Sequence, residues 1–151
     1  PAHVMLLGPI GWLALASMLT AQLLKPLFAV RRQGARALLR VLDTGGMPSS
    51  HTSLVTTLTL GIEAVEGAES VLFSISLIFS LYFIFEATGL RQEVGHQARV
   101  LNQMFDDLNQ THQVDRRRLK ELVGHTWQEV FGGLAVGVLV FWLGRSWIVG
   151  G

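Results

Sequence analysis

Four long, nearly uncharged apolar stretches, at about residues 4–30, 48–65, 71–87 and 130–149, leave this 151-residue chain few ways to fold. A helix that crosses a bilayer needs roughly 20 apolar residues, with a range of about 17–25, and each stretch is near that length. Charged residues make up only 15% of the chain and its mean hydropathy is +0.42, whereas soluble domains carry about 25% charge. The expected fold is therefore an all-α integral membrane protein. It forms a single domain over residues 1–151, a bundle of about four transmembrane helices plus an interfacial amphipathic helix. With no cysteine in the chain, disulfides and thiolate metal sites are excluded. Pro1 reads as a processed or trimmed start, and no cleavable signal peptide is expected, because the first apolar stretch is too long and has no basic segment before it.

The polar stretch at residues 88–128 contains the amphipathic segment. Val94, Ala98, Leu101, Phe105 and Leu108 recur at spacings of four and three, which keeps one apolar stripe on a helix over about 91–108. Such a helix either lies along the membrane surface or packs on the bundle. Basic residues give the orientation. Arg31, Arg32, Arg36 and Arg40 fill the first connection, and Arg91, Arg99, Arg116, Arg117, Arg118 and Lys120 fill the third. The second carries Glu63, Glu66 and Glu69 and no basic residue. The positive-inside tendency places the first and third connections in the cytoplasm and both termini outside. A net charge of +1 gives no reason to expect a nucleic-acid partner.

The polar residues at the cytoplasmic ends of the four stretches form a chemical set. Lys25 and Arg32 close the first, Ser49, Ser50 and His51 open the second, Glu86 and Arg91 close the third, and His125 and Glu129 open the fourth. Ionisable residues in or near spans are functional candidates by default. The run 45–51, Gly-Gly-Met-Pro-Ser-Ser-His, combines glycines that permit close backbone approach, a proline suited to a first helical turn and a helix start that attracts anions. Lys25 and Arg32, seven residues apart, share a helix face. His125 and Glu129, four apart, are neighbours on a continuous helix, so the carboxylate could orient the imidazole and leave its other nitrogen as a nucleophile. His51 is then a proton donor to a leaving oxygen, and Lys25, Arg32 and Arg91 hold the phosphate oxygens. Gly46, Glu86 and His96 are candidate supporting residues.

At these positions the chain resembles the divergent, bacterial and plastid branch of the type 2 phosphatidic acid phosphatase (PAP2) superfamily, which also includes vanadium haloperoxidases. The matching stretches are 21–25, 45–51, 86–91, 95–98, 101–102 and 124–130. Departures from the main superfamily are also visible. Gln33 stands where its first motif has proline, Ser50 where its second has glycine, and Glu129 where its third has aspartate. A long insertion separates Arg91 from His125, and His96, closer to Arg91, is a rival nucleophile. Val100, four residues after His96, offers that rival no carboxylate. Glu86 occupies a position where the divergent branch is expected to carry aspartate.

The resemblance implies a phosphatase of a lipid or prenyl phosphate monoester or diphosphate that works through a phosphohistidine, with no metal or other cofactor. Its site would face the cytoplasm or stroma, in a bacterial inner membrane or a plastid membrane. The expected partners are a phospholipid or prenyl-phosphate substrate and membrane lipids. A non-catalytic phosphate-lipid scaffold and a small carrier are the alternatives. Gly133 and Gly137 form a small-xxx-small pair that permits close helix approach. It suits packing within the chain or between two copies in a homodimer, and the spacing leaves both open. Trp12, Trp127, Trp142 and Trp147 lie towards the ends of stretches as interface anchors.

Overall fold

The computed structural model describes residues 7–33, 46–109 and 126–150, which form four α-helices. These are α1 (Pro9–Gln33), α2 (Ser50–Glu66), α3 (Val71–Asn109) and α4 (Trp127–Val149). Three of them, at Pro9–Phe28, Val71–Asp106 and Trp127–Val149, are long and apolar enough to cross a membrane. The exception is α2, whose 17 residues span about 25 Å at 1.5 Å per residue.

This short helix is the hub. Its Ser50 and Ser53 meet Lys25 and Ser17 of α1, and its Gly61 meets Ile10, so α1 and α2 run antiparallel. Ser49 and Thr52 meet Gly133 of α4, and Thr56 meets Gly137, so α4 runs parallel to α2. His51 lies against Phe83 of α3 and Thr59 against Ser76, so α3 is antiparallel. Enclosure explains how α2 tolerates its many hydroxyls: its neighbours, not lipid, satisfy them.

The interior is polar and the exterior apolar. The largest fully buried side chains are Thr52, Thr57, Pro48, Ser17, Ser49 and Ser53, while Phe79, Leu143 and Trp142 are 68%, 67% and 72% exposed. In water this arrangement would leave apolar surface unburied on all sides; in hydrocarbon it is the stable one, because close packing and interhelical hydrogen bonds hold the helices together. One network joins three helices. Thr57 Oγ1 donates to Ser17 Oγ at 2.8 Å and lies 3.0 Å from the Gly137 carbonyl, and the Ser17 and Ser53 hydroxyls share a hydrogen bond. A second ties α2 to α3, with the Thr59 hydroxyl 3.0 Å from that of Ser76 and 2.8 Å from that of Ser80.

The glycine pair works within the chain. A Cβ at Gly137 would lie 2.8 Å from the Ser53 carbonyl oxygen, and one at Gly133 would collide with the Ser49 carbonyl oxygen and come within 2.8 Å of Thr52 Cβ. The small-xxx-small face is therefore spent on α2, and a contact between two copies would have to use another surface.

The amphipathic segment is not a separate helix. α3 continues for 39 residues from Val71 to Asn109, about 58 Å in length, so its C-terminal turns extend beyond a hydrocarbon layer of about 30 Å. The reason is local. Thr88 donates its hydroxyl to the carbonyls of Ile84 and Phe85 in its own preceding turn and caps no new helix, and glycine alone weakens a helix without ending it. The stripe does not pack on the bundle either. Val94, Leu101 and Phe105 are exposed, and among the described side chains the buried positions in this part of α3 are Gly95, Ala98 and Asn102. Of the expected stripe, only Ala98 turns inward among the described side chains; Leu108 is outside them.

Candidate active site

The N-terminus of α2 is built by its own sequence. Gly46, with φ at +109°, is in the left-handed region that favours glycine. Pro48 follows a cis Met47–Pro48 peptide bond and is buried. Ser49 is the N-cap: its backbone is extended and its hydroxyl accepts from Thr52 N at 3.2 Å. Thr52 Oγ1 donates to the same oxygen at 3.0 Å. The amides of Ser50 and His51 then sit in a first turn, where no intrahelical acceptor exists. That is the end of a helix that favours negative charge.

Two other elements converge here. α1 brings Lys25, only 4% exposed, with its Nζ donating to Ser50 Oγ at 3.4 Å. A buried ammonium is expensive unless charge or hydrogen bonds compensate it, and this one is aimed at the tip of α2. α4 brings its own N-terminus, because Ser49 N donates to the Glu129 carbonyl at 2.9 Å. Two parallel helices thus begin side by side, with their positive dipole ends at the same level. Phe85 of α3 meets Trp127 of α4 edge to face, with ring centroids 6.3 Å apart.

The expected site residues fall into three groups. Lys25, Ser49, Ser50, His51 and Glu129 come together at one end of the bundle. His51 is half-buried, its ring 6.0 Å from that of Phe83. Glu86, three residues beyond Phe83 on α3, is exposed. His96 is also exposed and lies about 20 Å further along the α3 axis than Phe83, at 1.5 Å per residue. Arg32 and Arg91 are in α1 and α3, but their side chains are not among those described, and His125 lies outside the described residues.

The helical premise that linked His125 to Glu129 does not hold. α4 begins at Trp127 with Thr126 as N-cap, and Glu129 completes a capping box. Its Oε2 accepts from Thr126 N at 3.3 Å, and its own N–H donates to Thr126 Oγ1 at 3.4 Å. A threonine followed three residues later by glutamate is the sequence signature of this motif, so it was legible at 126–129. The hydroxyl network of Ser17, Ser53 and Thr57 was not. Their spacing within each helix is visible in the sequence, but which helix they face is not.

A polar-cored, lipid-facing helical bundle defines an integral membrane protein in contact with membrane lipids, with a buried lysine and two helix N-termini at one end. The chain belongs to the Divergent PAP2 family, which matches residues 8–140. It is also 39% identical over 140 residues to YuiD, an uncharacterized membrane protein of Bacillus subtilis (strain 168), covering 84% of this chain and 87% of that protein. No solved structure matches the chain.

Proposed function

We propose that this protein is a membrane-embedded phosphatase that hydrolyses a lipid or prenyl phosphate at the cytoplasmic face. The observation that carries the reading is the buried Lys25 ammonium at the serine-lined start of α2. In this mechanism the phosphate sits between Lys25, the Ser49–Ser50 helix start, Arg32 and Arg91. Four such donors neutralise the non-bridging oxygens and stabilise the charge that builds in the transition state. A ring nitrogen of His125 attacks phosphorus, the bond from phosphorus to the ester oxygen breaks, and His51 gives its proton to that leaving oxygen. Water then attacks phosphorus, the phosphorus–nitrogen bond to His125 breaks, His51 takes the water's proton, and inorganic phosphate leaves. Glu129, whose carboxylate is anchored in the capping box, keeps its role as the carboxylate partner of His125 only through that turn and not through a shared helix face.

A phosphate-release screen of purified protein against phosphatidate, phosphatidylglycerophosphate and polyprenyl phosphates tests this. His125→Ala and His51→Ala variants should stay folded and lose turnover by the 10²-fold or more that a general acid or nucleophile contributes. Orthovanadate should inhibit the wild type as a transition-state mimic. Retained turnover in His125→Ala would remove it as nucleophile. A scaffold would release no phosphate from any ester, and a carrier would move the ester across sealed vesicles intact.

A further inference from the structure

A serine or threonine hydroxyl donates one hydrogen bond and accepts up to two, and in the interior of this bundle almost every such proton is spent. Ser17, Ser53, Thr57, Ser80 and Thr88 each donate to a backbone carbonyl. The Thr59 hydroxyl shares bonds with those of Ser76 and Ser80, and Thr52 donates to Ser49 Oγ. Two buried hydroxyls remain among the described residues, those of Ser49 and Ser50, at 0% and 5% exposure. Both are engaged only as acceptors. Ser49 Oγ receives the Thr52 N–H at 3.2 Å and Thr52 Oγ1 at 3.0 Å, and Ser50 Oγ receives Lys25 Nζ at 3.4 Å. Neither proton has an acceptor among the described residues. Buried donors without partners are rare because they are costly, and these two are consecutive residues at the start of α2.

We propose that Thr52 is a positioning residue that fixes the Ser49 hydroxyl as a donor to an oxyanion. The amide and the hydroxyl of Thr52 fill both lone pairs of Ser49 Oγ. The one bonding direction left to that oxygen is along its own O–H, away from Thr52. Whatever completes Ser49 must therefore accept, as a phosphate oxygen does and an ammonium does not. The inference rests on the phosphate site proposed above and adds to it a residue that touches no substrate, because Thr52 is 2% exposed and acts through Ser49. Valine at this position keeps the amide that bonds the N-cap and keeps the Cβ that Gly133 of α4 packs against. It frees one lone pair of Ser49 Oγ, so the hydroxyl can turn and is no longer committed to donating in one direction.

Equilibrium binding of orthovanadate to the purified protein in detergent tests this, with SDS titration of each variant as the separate measure of stability. Thr52→Val should weaken vanadate binding about three- to tenfold, the worth of one hydrogen bond. Thr52→Ser, which restores the hydroxyl, should bind within about twofold of the wild type. In a Ser49→Ala background Thr52→Val should have no further effect on binding, because its route to the ligand is gone. Ser49→Gly, which caps a helix with little loss, serves for the same comparison if Ser49→Ala does not fold. Unchanged binding in Thr52→Val, an equal loss in Thr52→Ser, or a full further loss without the Ser49 hydroxyl would overturn the positioning role, the last two by making Thr52 a packing residue alone. Wild-type protein that binds no vanadate would overturn both this role and the phosphate site beneath it. The expected pattern at Thr52 without phosphate release from any ester would keep the role and refute hydrolysis.

Discussion

Gly133→Ala is the sharpest probe of how the site is held. The added methyl would meet the Ser49 carbonyl oxygen, Thr52 Cβ at 2.8 Å and Ser49 Cβ at 3.1 Å. The nearest of these is backbone, so no side-chain rotation relieves the clash and α4 must move away from α2. Overpacking of a fitted contact costs about 1–3 kcal/mol. Separation also strains the bond from Ser49 N to the Glu129 carbonyl, worth a further 0.5–1.5 kcal/mol or so. Alanine's better helix propensity offers little compensation here, because a membrane helix stays helical when its tertiary contacts are lost. The expected loss is about 2–4 kcal/mol, read by SDS titration of the purified protein in mixed micelles with tryptophan fluorescence as the signal. Gly132→Ala is the matched control. Its methyl would meet Met47 Cε and Pro48 Cβ at 3.3 Å, contacts that a shift of a few tenths of an ångström relieves, so its transition should stay within about 0.5 kcal/mol of the wild type, as for a change clear of fitted contacts. Gly133→Ala unfolding at the wild-type SDS concentration, or the two variants behaving alike, would refute the close approach of α2 and α4.

Other perturbations address separate parts of the structure. Thr57→Val keeps the shape but removes the donor to Ser17 Oγ and the bond to the Gly137 carbonyl; the same titration should show a loss of about 0.6–1.7 kcal/mol, the range for interhelical hydrogen bonds in membranes. Lys25→Met should abolish inhibition by vanadate while the helical fold is retained; vanadate inhibition of normal strength would exclude Lys25 from the anion site. Glu129→Ala removes one bond of the capping box and should weaken the start of α4 by about 0.5–1.5 kcal/mol, the worth of one hydrogen bond. If Glu129 also orients His125, turnover falls by more than Glu129→Gln allows, since the amide can still accept the Thr126 N–H.

Much of the candidate site was visible in the chain because its chemistry is local. The described part of the run, 46–51, forms a bend, a cap and a helix start from its own residues, although Pro48, expected in the first helical turn, precedes the N-cap Ser49. The Thr126–Glu129 box is likewise a four-residue pattern. Helix continuity was harder to read. The end of the apolar stretch at 87 and the polar residues after it imply a boundary, yet α3 runs through, because Thr88 bonds back to its own helix and no proline interrupts it.

Periodicity and charge along the chain were enough to establish a helical membrane protein and to nominate the lysine, serines and histidine at one end, because the bilayer demands apolar helices of set length and leaves ionisable groups conspicuous. The partners of each helix face were settled only by the three-dimensional packing. That Gly133 seats Ser49, that Lys25 reaches Ser50 and that Thr57 bonds to Ser17 depend on how the helices rotate about their axes. In hydrocarbon no hydrophobic gradient fixes that rotation; steric fit and hydrogen bonding between distant segments do, and neither is written in any single stretch of sequence.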